Sequence, residues 1–453
     1  MKKALIITRV SGFVPQFEMN DVHILQEMGY EVHYAANYNM VVYGKDNSRL
    51  DGTGIVRHQV DFERLPLPWL VIKAYNQIKK IIEEGNYSLI HCHMPASAAI
   101  ARMAAQAVRR KTGKKIPVLY TAHGFHFYDG APLKNWIYYP IEKYCAKYTD
   151  RLILINDEDY KRAKSFPLRG RAERILGVGM ELGKFEPYKK TDWNIKENRK
   201  ETDIIDRFIA EESKSGKESE SGGGSLDIYE KYHIDKSHAV IVSVGELTNR
   251  KNNIVVIEAM KELKNLPITY LICGSGPKEA ELKKKVKEAG LQKNVVFAGY
   301  VTDIPEVLSQ ADCFVFPSFQ EGLPVAVMEA MAVGLPVIAT KIRGITDLIT
   351  SGEGGYLADD WNSGSYAKLI KKMFIKKADN ASKSVDSTAD ISREDSISHR
   401  KNISQPKNVS RGENISRHEL RKRMGEWNMN RIQSFSLSVV DRKMRSIYMD
   451  VEV

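Results

Sequence analysis

Residues 319–340 read FQEGLPVAVMEAMAVGLPVIAT and hold two carboxylates, Glu321 and Glu329, in an otherwise apolar run. The residues before them, DCFVFPS (Asp312 to Ser318), put β-branched and aromatic side chains in a short span ending in Pro and Ser, the pattern of a short buried strand. A turn is expected at Glu321, Gly322 and Leu323. Pro324 suits the first turn of a helix, where its missing N–H is no loss, and Gly334 followed by Pro336 stops that helix before the next strand, PVIAT. Glu321 then stands at a strand's C-terminal end. Glu329 lies in a helix whose other residues, Val325 to Met328 and Ala330 to Ala332, are apolar on all sides, which predicts a helix covered by protein. An unpaired buried carboxylate costs several kcal/mol. Glu329 therefore needs a partner, a backbone donor or a ligand hydroxyl.

Working outward, the same alternation of strand and helix fills most of the chain. KKALIIT, EVHYAAN, SLIHCH, PVLYTAH and RLILIN read as strands, separated by helical patterns to Met28, around Val71 to Glu84 and from Ala96. The pattern restarts at HAVIVSVGEL and continues through ITYLICGSG, NVVFAGY, DCFVFPS, LPVIATK and GYLAD. Such runs predict parallel, helix-covered sheets, here two doubly wound α/β domains. In open sheets of this kind ligands bind beyond the carboxyl ends of the strands, and Gly12, His93, His123, Gly245, Gly274 and Glu321 all fall at such ends. A cleft between the domains would collect them.

Two segments break the pattern. Residues 189–225 (KENRKETD, ESKSGKESESGGGS) and 376–423 (DISRED, KNISQ, NVSRGENISRHE) are too polar to bury a core and read as inserts. After the second, IQSFSLSVVDRKMRSIYMDV returns to an amphipathic helical pattern and is expected to close over the folded body.

At 453 residues the chain exceeds one ordinary core, and 43% hydrophobic with 28% charged residues is a normal soluble composition. A net charge of +11 spread over this length is a weak hint of an anionic partner and points to no nucleic acid. Cys92, Cys145, Cys273 and Cys313 are far apart and fit no zinc or disulfide pattern, so buried reduced thiols are expected. The apolar run of the start, MKKALIITRVSGF, is broken by Thr8 and Arg9, and no run reaches the length of a membrane span. A cytoplasmic location follows as an expectation, with contact to the inner face of a membrane from outside.

The stretch EGLPVAVMEAMAVGLPVIAT resembles the E-x7-E signature of the family 4 retaining glycosyltransferases, which have the GT-B architecture. TAHGFHF, IHCHMP, GVGMELGKF, VGELTNRKN, CGSGPKEAEL and FSLSVVDRKM add further likeness, and together they resemble bacterial members that build capsular or extracellular polysaccharide. The resemblance implies two facing Rossmann-like domains with an inter-domain cleft. It divides the chain into an acceptor domain at 1–180, a crossing segment with a polar insert at 181–235, a nucleotide-sugar donor domain at 236–375, an insert at 376–423 and closing helices at 424–453.

The resemblance also assigns roles. Glu321 resembles the acid that bonds hydroxyls of the donor sugar and faces its anomeric carbon, with Gly322 and Leu323 beside it. Glu329 resembles the acid that holds the ribose hydroxyls, and a carboxylate accepting from a vicinal diol is well satisfied. Lys251 stands where the family places a lysine on the donor diphosphate, stabilising the charge of the departing nucleoside diphosphate. Relatives commonly carry Arg directly after the glycine of this strand; here that position is Glu246, and Arg250 is the candidate replacement. Gly12 resembles the turn approaching the diphosphate from the first domain, His123 the histidine lining the sugar site, and Gly274 and Gly276 the turn beside the nucleotide. His91, His93 and His126 read as wall or packing residues. No acidic pair or His/Cys spacing suggests a metal, so cations are expected to replace it, with no cofactor beyond the nucleotide-sugar.

The implied activity is transfer of a hexosyl or N-acetylhexosaminyl group, from a UDP-sugar by preference, to a glycan or polyprenyl-linked acceptor with retention. AVRRKTGKK, with Arg109, Arg110, Lys111, Lys114 and Lys115, and LPLPWLVI, with Trp69, are the candidate contacts to an anionic membrane surface. Alternatives are a GT-B-type nucleotide-sugar epimerase and a non-catalytic nucleotide-binding scaffold. A dinucleotide dehydrogenase is disfavoured, since G-x-G-x-x-G is absent after both first strands.

Overall fold

The computed structural model of the chain describes residues 1–63, 67–190, 227–375 and 415–451. The first sheet comprises β1 (Lys2–Val10), β2 (Tyr30–Asn37), β3 (Val56–Gln59), β4 (Leu89–His93), β5 (Val118–Ala122), β6 (Arg151–Leu154) and β7 (Arg171–Arg174), in the order β3-β2-β1-β4-β5-β6-β7. The second comprises β8 (Ala239–Val244), β9 (Ile268–Cys273), β10 (Val295–Gly299), β11 (Cys313–Phe316), β12 (Val337–Thr340) and β13 (Gly355–Ala358), in the order β10-β9-β8-β11-β12-β13. Every pairing is parallel. Strand order reverses between β1 and β4 and again between β8 and β11, so each sheet opens a crevice at that point.

The apolar strands are buried on both faces. Helices Pro68–Gly85 and Pro95–Thr112 bury Ala74, Ile78, Ile82, Ala101, Ala105 and Val108 on one side of the first sheet. Helix Met19–Glu27 covers the other with Val22 and Leu25. Burial on both sides removes the polar alternation of a half-exposed strand, which is why these runs read clearly in the sequence. Strands β3 (VRHQ) and β7 (RAER) were not expected. Both are short polar edge strands that exist because β2 and β6 offer them an open ladder.

The chain's end crosses between the domains. Helix Arg417–Ile432 packs on helix Val325–Ala332 of the second domain, and Asn428 Nδ2 donates to the Leu335 and Gly354 carbonyls at 2.6 and 2.8 Å. At the turn, Met180 N donates to Phe435 O at 3.0 Å and Leu437 N returns to Met180 O at 2.9 Å. Helix Leu437–Val451 then places Val440, Met444, Ile447 and Tyr448 in the core of the first domain. The expected boundary at 423 is corrected: the helix begins at Arg417, because Ser416 Oγ accepts from Glu419 N at 3.1 Å and Arg421 is buried, donating to Met373 O. The expectations for 191–226 and 376–414 lie outside the described residues. All four cysteines are buried free thiols. Among the described residues no helix is long and apolar enough to cross a membrane.

Candidate active site

Glu321 occupies the loop between β11 and helix Val325–Ala332, its side chain 9% exposed. Its Oε1 accepts from Lys251 Nζ at 2.8 Å and Arg250 Nη1 at 2.5 Å. Both cations come from the short turn Asn249–Lys251 that follows β8, and Phe319 N donates to Arg250 O at 2.9 Å, tying the two strand-end loops together. Lys251 Nζ also lies 4.4 Å from the centre of the Phe316 ring. Burial lowers the Lys251 ammonium below its ordinary range, opposed by the Glu321 carboxylate. Glu246 acts on Lys251 as well, so two cations and two carboxylates gather at the carboxyl end of the sheet. Arg250 donates to Gln320 O at 3.0 Å as well, so it belongs to this loop rather than to an ordinary solvated helix start.

Glu329 stands within helix Val325–Ala332. The expectation of a helix covered on all sides is corrected: Val325 is 40% exposed and Glu329 half-buried, so one side of the helix is open. Burial alone pushes the Glu329 carboxyl up to about 7, and among the described residues no hydrogen bond reaches it. A carboxylate so desolvated and left without a protein donor suits a ligand diol.

The site glycines are places where backbones meet. A Cβ on Gly274 would lie 2.0 Å from Gly245 O, and one on Gly276 2.6 Å from Leu247 N, so the turns after β8 and β9 pack main chain to main chain. Gly12 precedes helix Phe13–Phe17, and its Cβ would lie 1.8 Å from Val42 O; the close approach there is by the protein's own chain. Gly322 is where the domains touch, since a Cβ would sit 2.0 Å from His123 O. Leu323 beside it packs against the cores of both domains.

Arg343, in the loop after β12, is a site residue that the sequence did not single out. Its Nε donates to Glu321 O at 3.2 Å and its Nη1 to Asp159 Oδ1 at 2.8 Å, across to the first domain. Both side chains of that pair are buried, and Asp159 is also held by Phe125 N and Asn156 Nδ2. Asp347 adds a second inter-domain tie, accepting from Asp157 N at 2.8 Å and pairing with Arg174 at 3.0 Å. The loop that carries Glu321 is thereby fixed relative to the first domain.

His123 follows β5, its side chain 22% exposed and Phe13 edge-on against its ring. Burial pushes its imidazole down to about 4. His91 and His93 are buried packing residues, 1% and 0% exposed, and they carry polar contacts besides. His93 Nδ1 lies 3.3 Å from His123 Nε2, and Glu18 Oε1 lies 3.0 Å from the same nitrogen. His91 bonds Tyr448 of the closing helix and Thr121, each at 2.8 Å, with Asp21 at 3.5 Å. The H-x-H spacing of SLIHCH, which puts both rings on one face of β4, was the available signal; Glu18, Asp21 and Tyr448 carried none.

Two facing Rossmann-like domains, with paired cations and a glutamate at the carboxyl ends of the second sheet, define a GT-B glycosyltransferase. Comparison with known proteins agrees. Residues 4–156 match the family described as glycosyl transferase 4-like, and residues 226–389 match glycosyl transferases group 1. EpsD of Bacillus subtilis (strain 168), named as a glycosyltransferase, is 33% identical over 379 residues, covering 83% of this chain and 88% of that one. The UDP-Gal:α-D-GlcNAc-diphosphoundecaprenol α-1,3-galactosyltransferase of Escherichia coli is 27% identical over 297 residues, 64% of this chain and 66% of that one. The crystal structure of Anabaena HepE in complex with UDP and glucose superposes with a TM-score of 0.62 over 99% of this chain and all of the other, at 15% identity. The chain belongs to this glycosyltransferase family, and its relatives include glycosyltransferases named for amylovoran and colanic acid biosynthesis.

Proposed function

We propose that the protein transfers a hexosyl or N-acetylhexosaminyl group from a UDP-sugar to a lipid-linked glycan, with retention of configuration, in cell-surface polysaccharide synthesis. The observation that carries this reading is the Lys251–Glu321–Arg250 cluster, on a loop that Arg343 ties to the first domain and that packs at Gly322 against the His123 backbone. The donor diphosphate draws Lys251 and Arg250 onto its oxygens, which releases Glu321 to accept from sugar hydroxyls. Glu329 takes the ribose diol. As the glycosidic bond to phosphate breaks, the same cations bind the developing charge more tightly than they bind the donor, with no metal needed at the phosphates. The leaving phosphate takes the acceptor proton, and attack from its own face retains the configuration. The galactosyltransferase relative, whose name specifies a UDP-sugar and a diphosphoundecaprenol-linked acceptor, supports the donor and acceptor classes. The test is incubation of the purified protein with a panel of UDP-sugars and a synthetic polyprenyl diphosphate-linked sugar. Retention predicts a product whose anomeric coupling in NMR matches that of the donor; inversion, or epimerised free sugar as the only product, overturns the reading.

The acceptor class calls for a membrane face; within AVRRKTGKK Arg110, Lys111, Lys114 and Lys115 are exposed, and the first domain offers a further patch beside it. Arg109 is buried, donating to Ile116 O and paired with Asp150, so it is not free to meet lipid. Leu133, Ile137, Ile141 and Tyr144 recur at helical spacing along Leu133–Ile137 and Tyr138–Ala146 and are 90, 66, 46 and 50% exposed. Lys134, Lys143 and Lys147 are exposed among them, while Glu142, the one acid between 131 and 149, is buried against Arg102. An apolar stripe edged by cations suits an anionic bilayer surface. Trp69 and Ile72, 65 and 58% exposed, begin a helix of the same covering layer. Helices that follow parallel strands start at the carboxyl edge of the sheet, so both patches lie toward the edge where the acceptor arrives.

A further inference from the structure

We propose that Glu18, His93 and His123 form a zinc site in the first domain, behind the wall of the cleft. The three donors come from three separate elements: the residue preceding helix Met19–Glu27, the last residue of β4, and the loop after β5. Their facing atoms are mutually close, with Glu18 Oε1 to His123 Nε2 at 3.0 Å, His93 Nδ1 to His123 Nε2 at 3.3 Å and His93 Nδ1 to Glu18 Oε1 at 3.6 Å. Zinc bonded to imidazole nitrogen and carboxylate oxygen at its usual lengths in a tetrahedron sets ligand atoms roughly 3.4 Å apart. The three observed separations bracket that edge.

A second observation points the same way. Glu18 is 5% exposed and Asp21 hydrogen-bonds its carboxyl group, yet its Oε1 has no hydrogen-bond partner. A buried carboxylate oxygen 3.0 Å from a ring nitrogen without bonding it is aimed at a point between the donors. An overlapping set, Asp21, His91 and His93, also brings its donor atoms within 4.8 Å of one another. That set is the poorer choice, since both nitrogens of His91 are already engaged by Tyr448 and Thr121. It serves instead as a buried polar backing, of the kind that orients ligands around metal centres.

Two imidazoles and a carboxylate are the donor set of a borderline divalent ion, and they leave one of four positions open. His123 is the donor whose side chain has exposed surface, so the open position is on its side. The ion would hold the His123 ring in place without touching the phosphate cluster at Lys251, and the site stands whether or not the proposed transfer reaction is correct.

The test is cobalt and zinc binding to the full chain after chelator treatment, with no nucleotide present. One equivalent of CoCl2 should give the intense visible absorption of tetrahedral cobalt, displaced by ZnCl2. Glu18→Gln, which keeps the shape of the side chain, and His93→Gln should each abolish that band and raise the zinc Kd at least tenfold, since even removal of an outer-shell partner costs about 10–100-fold. His58→Gln, at the separate His33–His58 pair, should leave the band intact. Absence of the band in the folded wild-type protein, or its survival in Glu18→Gln, overturns the proposal, and because wild type alone decides the first outcome, a misfolded variant cannot obscure it.

Discussion

Glu329→Gln should stabilise the unliganded protein at pH 8 while weakening its hold on UDP. Burial raises the Glu329 carboxyl from 4.5 to about 7, with no other cause opposing it. The folded state thus binds this proton more tightly than the unfolded chain does. The associated stability is fully present below the unfolded value of 4.5 and is lost as pH rises through about 7. At about 1.4 kcal/mol per pKa unit the loss has a ceiling of about 3.5 kcal/mol, and the partial opening of the side chain to solvent brings it to about 1–2 kcal/mol. Glutamine is nearly isosteric and cannot ionise. At roughly 2–4 °C per kcal/mol for domains of this size, its Tm should exceed that of wild type by about 2–8 °C at pH 8 and by little at pH 5. The assay is thermal unfolding of both proteins at the two pH values, with and without UDP. UDP should raise the wild-type Tm more than that of the variant, because a ligand stabilises in proportion to its occupancy. Equal Tm differences at both pH values, or a variant less stable at pH 8, would refute the reasoning about desolvation. An unchanged response to UDP would refute the ribose assignment alone.

Lys251→Ala should lower kcat about 10²–10³-fold, the usual loss for removal of one preorganised group from developing charge, as measured by UDP release from the accepted donor. Arg343→Ala leaves buried Asp159 without its cation and releases the Glu321 loop, so it should destabilise the fold by about 3 kcal/mol in urea titration and reduce turnover as well. Ile137→Ser with Ile141→Ser and Lys143→Ser should diminish co-sedimentation with anionic vesicles at low salt, while Arg109→Lys should leave it unchanged; three exposed lysines at about 1 kcal/mol each set the scale, and added salt should release the wild-type protein. Binding that survives the triple change would place the membrane face elsewhere.

Much of the fold was legible in the sequence because parallel strands buried on both faces are continuous apolar runs, and six such runs from residue 238 onward became the six strands of the second sheet. Strands β3 and β7 were not legible, since an edge strand's ladder is supplied by its neighbour and VRHQ and RAER hold no pattern of their own. The donor end of the site followed the same division. Glu321, Glu329 and Lys251 stand in local motifs whose spacing survives in the linear chain. The pairing of Glu321 with both Lys251 and Arg250 joins loops 70 and 71 positions apart. Arg343 looked like any loop cation until the fold set it against Asp159, 184 positions away. Arg109 looked like one of a run of exposed basic residues until Asp150 closed over it. Glu18, His93 and His123 meet only because strands adjacent in the sheet are distant in sequence, and Tyr448 reaches His91 only because the last helix returns to the first domain. Sequence by itself determined what depends on neighbours along the chain: periodicity, turn residues and the glutamate motif. Tertiary structure decided what depends on neighbours in space, which charges are paired, which are buried, and which apolar side chains are left facing outward.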